Sequence, residues 1–171
     1  MTGDAATVAR QLGRAPRGRW RPVARCSYGR PTVILTGPVL GDGTPFPTLY
    51  YLTCPHLTER VSALESAGEI ERWRARIAGD PALRELLSAA DTAYRAARAA
   101  EAGGAGASAA EAGGADPVPD VGIAGQRDPC ALKCLHAHVA AFLAGVDDPV
   151  GAGVLAAVVR ECDDDRCGSE A

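Results

Sequence analysis

Lysine is almost missing from this chain: 17 of its 18 basic residues are arginine, and Lys133 stands alone. With it goes the phosphate-cradling P-loop. The glycine-rich stretch GDGTPFP at 41–47 has no G-K-[ST] ending, so Asp42 reads as a turn residue between two glycines. Aromatic side chains are scarce too. Phe, Trp and Tyr number 8, and half of them fall between Tyr28 and Tyr51, so the large packing groups concentrate toward the N-terminal half. Much of the 47% hydrophobic content is alanine, which fills a core poorly. No apolar run approaches the roughly 18 residues that a membrane helix needs. The opening MTGDAATVARQLGR lacks the apolar core of a secretory signal. These absences predict a cytoplasmic protein without a membrane segment. Finally, no C-x-x-C pair occurs, so no compact zinc ribbon is encoded.

What is present is a chain of 171 residues, about one domain's worth. At that size about 70% of the unfolded surface can be buried. The net charge of −3 conceals an asymmetry. Residues 1–30 hold seven arginines and one aspartate, while the remainder carries 11 basic and 20 acidic residues. A basic arm can meet nucleic acid. Here the arginines lack regular interleaving with stacking aromatics, and the arm reads as a segment folding back on the chain's own acidic part. Nucleic acid is not an expected partner; a protein partner is left open.

The pattern along the chain is strands first, helices after. Residues 4–13 suit a short helix capped by Asp4. Val23–Cys26, Thr32–Thr36 and Thr48–Thr53 read as strands, the first two joined by a turn at Ser27–Pro31. Val33-Ile34-Leu35 is continuously apolar, which predicts a strand buried on both faces. Ser62-Ala63-Leu64-Glu65 fits a capping box, although Thr58 offers an earlier start. Ile70, Trp73 and Ile77 give the next helix one apolar face. Asp80-Pro81, Asp128-Pro129 and Asp148-Pro149 each read as a cap followed by a first-turn proline, opening helices to about Ala100, Leu143 and Arg160. The expected fold is α+β: a small antiparallel three-stranded sheet, about residues 20–53, covered by about five helices. It forms a single domain over 1–171, with a flexible Ala/Gly insert at 101–120 and a mobile acidic tail at 161–171.

The chemistry lies in six cysteines (26, 54, 130, 134, 162 and 167) and three histidines (56, 136 and 138). In a chain expected to be cytoplasmic they argue for reduced thiols, ligands or a reactive group before a disulfide framework. On a helix over 130–143, Cys130, Cys134 and His138 would share one face at spacings of four, a geometry one ion can use. Alternatively, Cys26 and Cys54 from the sheet could meet Cys134 from the helix. Three such thiolates could hold an iron–sulfur cluster, or zinc with a histidine as fourth ligand. Against both stands the plain behaviour of cysteine as a small buried apolar group. Glu59, Glu65, Glu69 and Glu71 have arginines nearby and read as solvated ion-pair partners.

QLGR at 11–14, PRG at 16–18, VARC at 23–26, Gly29 and Pro31, DGTPFPTLYYLTCP at 42–55, SALESAG at 62–68 and KCLH at 133–136 together resemble a bacterial, mostly actinobacterial family, domain of unknown function 501. The resemblance covers about residues 8–100 and 120–157. It implies a neighbourhood of genes for septum formation and an exopolyphosphatase-like enzyme, hence a link to cell division or polyphosphate metabolism. It brings no activity and no catalytic residue. It does place Cys26, Cys54, Cys134 and His136 inside the family motifs, and these four form the expected metal set. Three functional readings follow: an accessory protein with a Cys-based metal or iron–sulfur site, a thiol-dependent enzyme using Cys54 or Cys134, and a non-catalytic interaction module whose cysteines are only core.

Overall fold

The computed structural model describes residues 2–40, 42–109 and 120–167. Strands β1 (Trp20–Arg25), β2 (Pro31–Thr36) and β3 (Tyr50–Leu52) form one antiparallel sheet in the order β1-β2-β3. β2 takes the centre, and all six of its residues are buried. A continuous apolar run, unlike an alternating one, demands cover on both faces. β1 is more exposed, carries Pro22 and slips register between Pro22 and Ala24, all of which suit an edge strand. β3 is shorter than the expected 48–53 because the Leu49 N–H donates to Tyr94 Oη at 2.8 Å and not to a strand partner.

Six α-helices are described: α1 (Thr2–Leu12), α2 (Pro55–Ser66), α3 (Glu69–Gly79), α4 (Pro81–Ala109), α5 (Leu135–Leu143) and α6 (Pro149–Ala156). The fold is therefore α+β with a three-stranded antiparallel sheet, as the sequence predicts. Val33, Leu35 and Leu52 from the sheet meet Leu57, Trp73, Leu87 and Val139 from the helices in one core. Burying each such side chain is worth roughly 1.5–3 kcal/mol.

Other boundaries also differ from expectation, and α6 ends at Ala156, short of the expected Arg160. α2 starts at Pro55, with Cys54 at the N-cap, so Ser62 and Glu65 lie inside the helix and form no capping box at its start. Proline at the first helical position needs no amide partner there, which makes Cys54-Pro55 the stronger start signal. α5 starts at Leu135, not near Cys130. Asp128 Oδ1 accepts from Cys130 N–H at 2.9 Å, and the Ala131 N–H returns to Asp128 O at 3.1 Å. That closes a local turn and ends the helix signal early. Cys134 is then extended, at φ −155° and ψ 125°, so the shared face for Cys130, Cys134 and His138 does not form. α4 runs on to Ala109, into the segment expected to be a flexible insert. Alanine is the best helix former, and Glu101 is tied to Arg21 at 2.6 Å. The rest of that insert, 110–119, lies outside the described residues. Lastly, 161–167 of the expected mobile tail packs on the protein with Cys162 and Cys167 buried, while 168–171 lie outside the described residues.

α4 is the spine that fixes the loops. Arg98 is buried and donates to Phe46 O at 2.6 Å and Pro47 O at 3.0 Å, which pins the TPFP segment. Asp91 accepts from Ile123 N–H at 3.0 Å, and Arg95 grips the Gln126 and Arg127 carbonyls. Gly122 presses against Asp91 so closely that a Cβ would stand 1.6 Å from Oδ1.

α5 and α6 are joined by a buried polar pair. Asp148 Oδ1 caps α6 by accepting from the Val150 and Gly151 amides, each at 2.9 Å. Its Oδ2 takes the His138 Nδ1–H at 2.7 Å, with both side chains almost fully enclosed. Asp148→Ala should lower unfolding free energy by about 3 kcal/mol, from the lost cap and the stranded imidazole. Gly151→Ala should cost about 1–3 kcal/mol, since the new Cβ would meet His138 O at 2.3 Å. Urea unfolding of the two variants checks both values.

Candidate functional site

A cleft of about 700 Å³ opens between α1, β3, α2 and the start of α5. Gln11, Tyr51, Thr58, Lys133, Cys134 and His136 are among the residues that line it. The motif KCLH therefore enters the site at its lip. Lys133 and Cys134 precede α5, Leu135 plugs into the core as the first helical residue, and His136 turns back toward α2. Alternation explains this: of four consecutive residues, only Leu135 is buried.

Glu65 completes the site from the last turn of α2. Its Oε1 accepts from Leu135 N–H at 2.6 Å, which satisfies one of the free amides at the start of α5 and places negative charge at a helix N-terminus. The same oxygen lies 3.2 Å from His136 Nδ1. Cys134 Sγ stands 3.6 Å from that nitrogen. On the other side of the ring, Nε2 lies 3.2 Å from Thr58 O and 3.2 Å from Ser62 Oγ. A carbonyl can only accept, so Thr58 holds the proton on Nε2 and turns Nδ1 toward Cys134 and Glu65. Ligand atoms of Glu65, Cys134 and His136 all lie within 4.8 Å of one another, the only such cluster of three or more among the described residues.

The imidazole is unusually basic. The hydrogen bond with Cys134 raises His136 to about 9, helped by the charges of Cys134 and Glu65 and by Thr58 O, against the opposing effect of burial.

The expected site residues divide. Cys134 and His136 meet in this cluster. Cys26 follows β1 in the hairpin turn, where its N–H donates to Arg30 O at 3.0 Å, and Cys54 is buried at the N-cap position of α2; neither belongs to the cluster. Cys130 packs toward α4, its sulfur 3.9 Å from Ser88 Oγ, and His138 is committed to Asp148. Glu65 is not the solvated ion-pair partner that the sequence predicts: it is half-buried and holds the start of α5. Its position three residues after Ser62 suggested a cap, and it is one, for α5 and not for α2. Glu69 and Glu71 do pair on the surface with Arg72 and Arg74. No helix of the described residues is long and apolar enough to cross a membrane.

Set beside known proteins, residues 23–156 match the family model described as "Protein of unknown function (DUF501)". No curated protein and no solved structure matches the chain. The matched range includes Glu65, Cys134 and His136, and it ends before Cys162 and Cys167.

In the metal-free protein the His136 ring should titrate near pH 9 by proton NMR, well above a free imidazole. Its folded value exceeds its unfolded one, so its contribution to stability is complete below about 6.5 and is lost as pH rises through about 9. Urea midpoints of wild type and His136→Gln should converge above pH 9; a constant gap across that window would contradict the assignment.

Proposed function

The chain belongs to the DUF501 family, and from its geometry we propose that it is a metal-binding protein whose ion sits at the lip of the cleft on Cys134, His136 and Glu65. One observation carries this reading: a carboxylate oxygen from α2, an imidazole nitrogen from α5 and a sulfur from the residue just before α5 already lie within 4.8 Å of one another. A second supports it. Thr58 O takes the Nε2 proton, the outer contact by which ligating histidines are oriented.

The donor set names the ion. One thiolate, one imidazole and one carboxylate suit zinc, a borderline cation that takes all three. Three protein ligands leave a fourth position open, the arrangement of catalytic zinc sites and not of structural ones. Cys134 and His136 both line the cleft, so that position would open onto it. Lys133 lines the same cleft and supplies a positive charge, while Glu59 on its wall is already paired with Arg166 at 3.2 Å. The cleft therefore suits a small ligand with an anionic group. Binding requires thiolate and neutral imidazole, so uptake of the ion releases protons.

A thiol-dependent enzyme is the second reading, favoured by Cys134 standing at the start of a helix 3.6 Å from an imidazole. Alkylation separates the two. One equivalent of Zn²⁺ should protect Cys134 from iodoacetamide by at least about tenfold, and Glu65→Gln should weaken that protection. Rapid alkylation of Cys134 that zinc does not slow would favour the thiol reading and contradict the metal one.

A further inference from the structure

Outside the cleft, Cys54, Cys162 and Cys167 are buried and Cys26 is partly so. β1 and β3 flank β2, and their ends bring two cysteines to one end of the sheet. Cys26 closes the β1–β2 hairpin: the Gly29 N–H returns to Cys26 O at 2.9 Å, with Gly29 at φ +74°. Cys54 follows β3, its N–H directed at Thr32 O at 3.4 Å, beside the first residues of β2.

The segment after α6 is fastened across this end by side chains flanking its own cysteines. His56 Nε2–H donates to Val159 O at 2.8 Å, two residues from Cys54. Glu161 Oε2 accepts from both Ser27 N–H at 3.1 Å and Ser27 Oγ–H at 2.9 Å, which joins the neighbour of Cys162 to the neighbour of Cys26. Asp165 takes a two-point contact from Arg30 at 3.2 and 3.0 Å. Arg10 donates to Cys167 O at 3.3 Å. Within CDDDRC, Asp163, Asp164 and Arg166 are exposed, whereas Cys162 and Cys167 are only 8% and 6% exposed. Asp163 and Asp164 face water, Asp165 is held by Arg30, and both cysteines are enclosed.

We propose that Cys26, Cys54, Cys162 and Cys167 form a second metal site, a four-thiolate site for a zinc-class ion that staples the C-terminal segment to the sheet. Four thiols and no nitrogen donor make a closed coordination sphere, which is the structural kind. Cys54 has Cys167 and Cys162 as neighbours, and Cys167 has Cys162 and Cys26, so four like donors converge on one end of the sheet. No three of these sulfurs stand within 4.8 Å of one another, whereas bonds near 2.3 Å to one tetrahedral ion would set them about 3.8 Å apart. The 160–167 segment is held by side-chain contacts and contains no helix or strand, so it is the part that closes.

The test uses the full chain with Cys134→Ala and His136→Ala, which removes the cleft ligands, so that the two sites fail separately. After anaerobic purification this variant should retain one zinc per chain, and adding Cys162→Ser and Cys167→Ser should reduce it to none. Loaded with Co²⁺ in place of zinc, the cleft variant should show the strong sulfur-to-cobalt charge-transfer bands of a four-thiolate site. In wild-type protein, Zn²⁺ should slow alkylation of Cys54 and Cys167 at least about tenfold, a readout that needs no tail variant to fold. A folded cleft variant without bound zinc or cobalt would overturn the proposal. So would a disulfide among these four residues in freshly isolated protein, or full zinc retained after loss of Cys162 and Cys167.

Discussion

The hydrogen bond from the Leu135 amide to Glu65 is the contact on which the site depends. A helix start leaves amides without partners, and α5 could begin anywhere after Asp128-Pro129 as far as propensity is concerned. Glu65, reaching from the end of α2, fixes that start at Leu135 with a 2.6 Å contact. Cys134 is thereby held extended just before the helix, and His136 is held in its first turn. Had the helix begun at Cys130, Cys134 and His136 would point about 160° apart around its axis. The same carboxylate that sets the helix start also supplies the third donor.

Everything around that contact holds the two helices in place. α2 is fixed by the sheet before it, through the Thr53 N–H and Thr32 O at 2.9 Å. α5 is fixed by the helix after it, through the His138–Asp148 pair and the glycine that lets α6 approach. α4 ties down the TPFP loop and the 120–127 segment, and the aromatic strand β3 forms one wall of the cleft. Buried polar contacts carry much of this organisation, which suits a chain with few large aromatic side chains to pack.

Much of the fold could be read from residue patterns. The unbroken Val33-Ile34-Leu35 run marked the central strand, and Ile70, Trp73 and Ile77 marked the inner face of α3 by their spacing. What misled was capping chemistry shared by different structures. Asp-Pro opens α6, capped by Asp148, yet at Asp128-Pro129 it closes an isolated turn, because nothing local distinguishes the two. Ser62-x-x-Glu65 has the form of a cap for its own helix, and only the tertiary fold shows that it caps another. The site was half legible for the same reason. Cys134 and His136 sit in one short motif, but Glu65 arrives from 70 residues away. The C-terminal cysteines looked like part of a solvated acidic tail, since an i, i+5 pair in an irregular segment has no periodicity to betray which side chains turn inward.

The central claim concerns three donor atoms, and anomalous diffraction at the zinc edge addresses them directly. Crystals of the full chain grown with Zn²⁺ should show a peak within bonding distance of Cys134 Sγ, His136 Nδ1 and a Glu65 carboxylate oxygen, with Thr58 O still accepting from Nε2. A map with no peak there, and His136 still hydrogen-bonded to Cys134, would contradict the account.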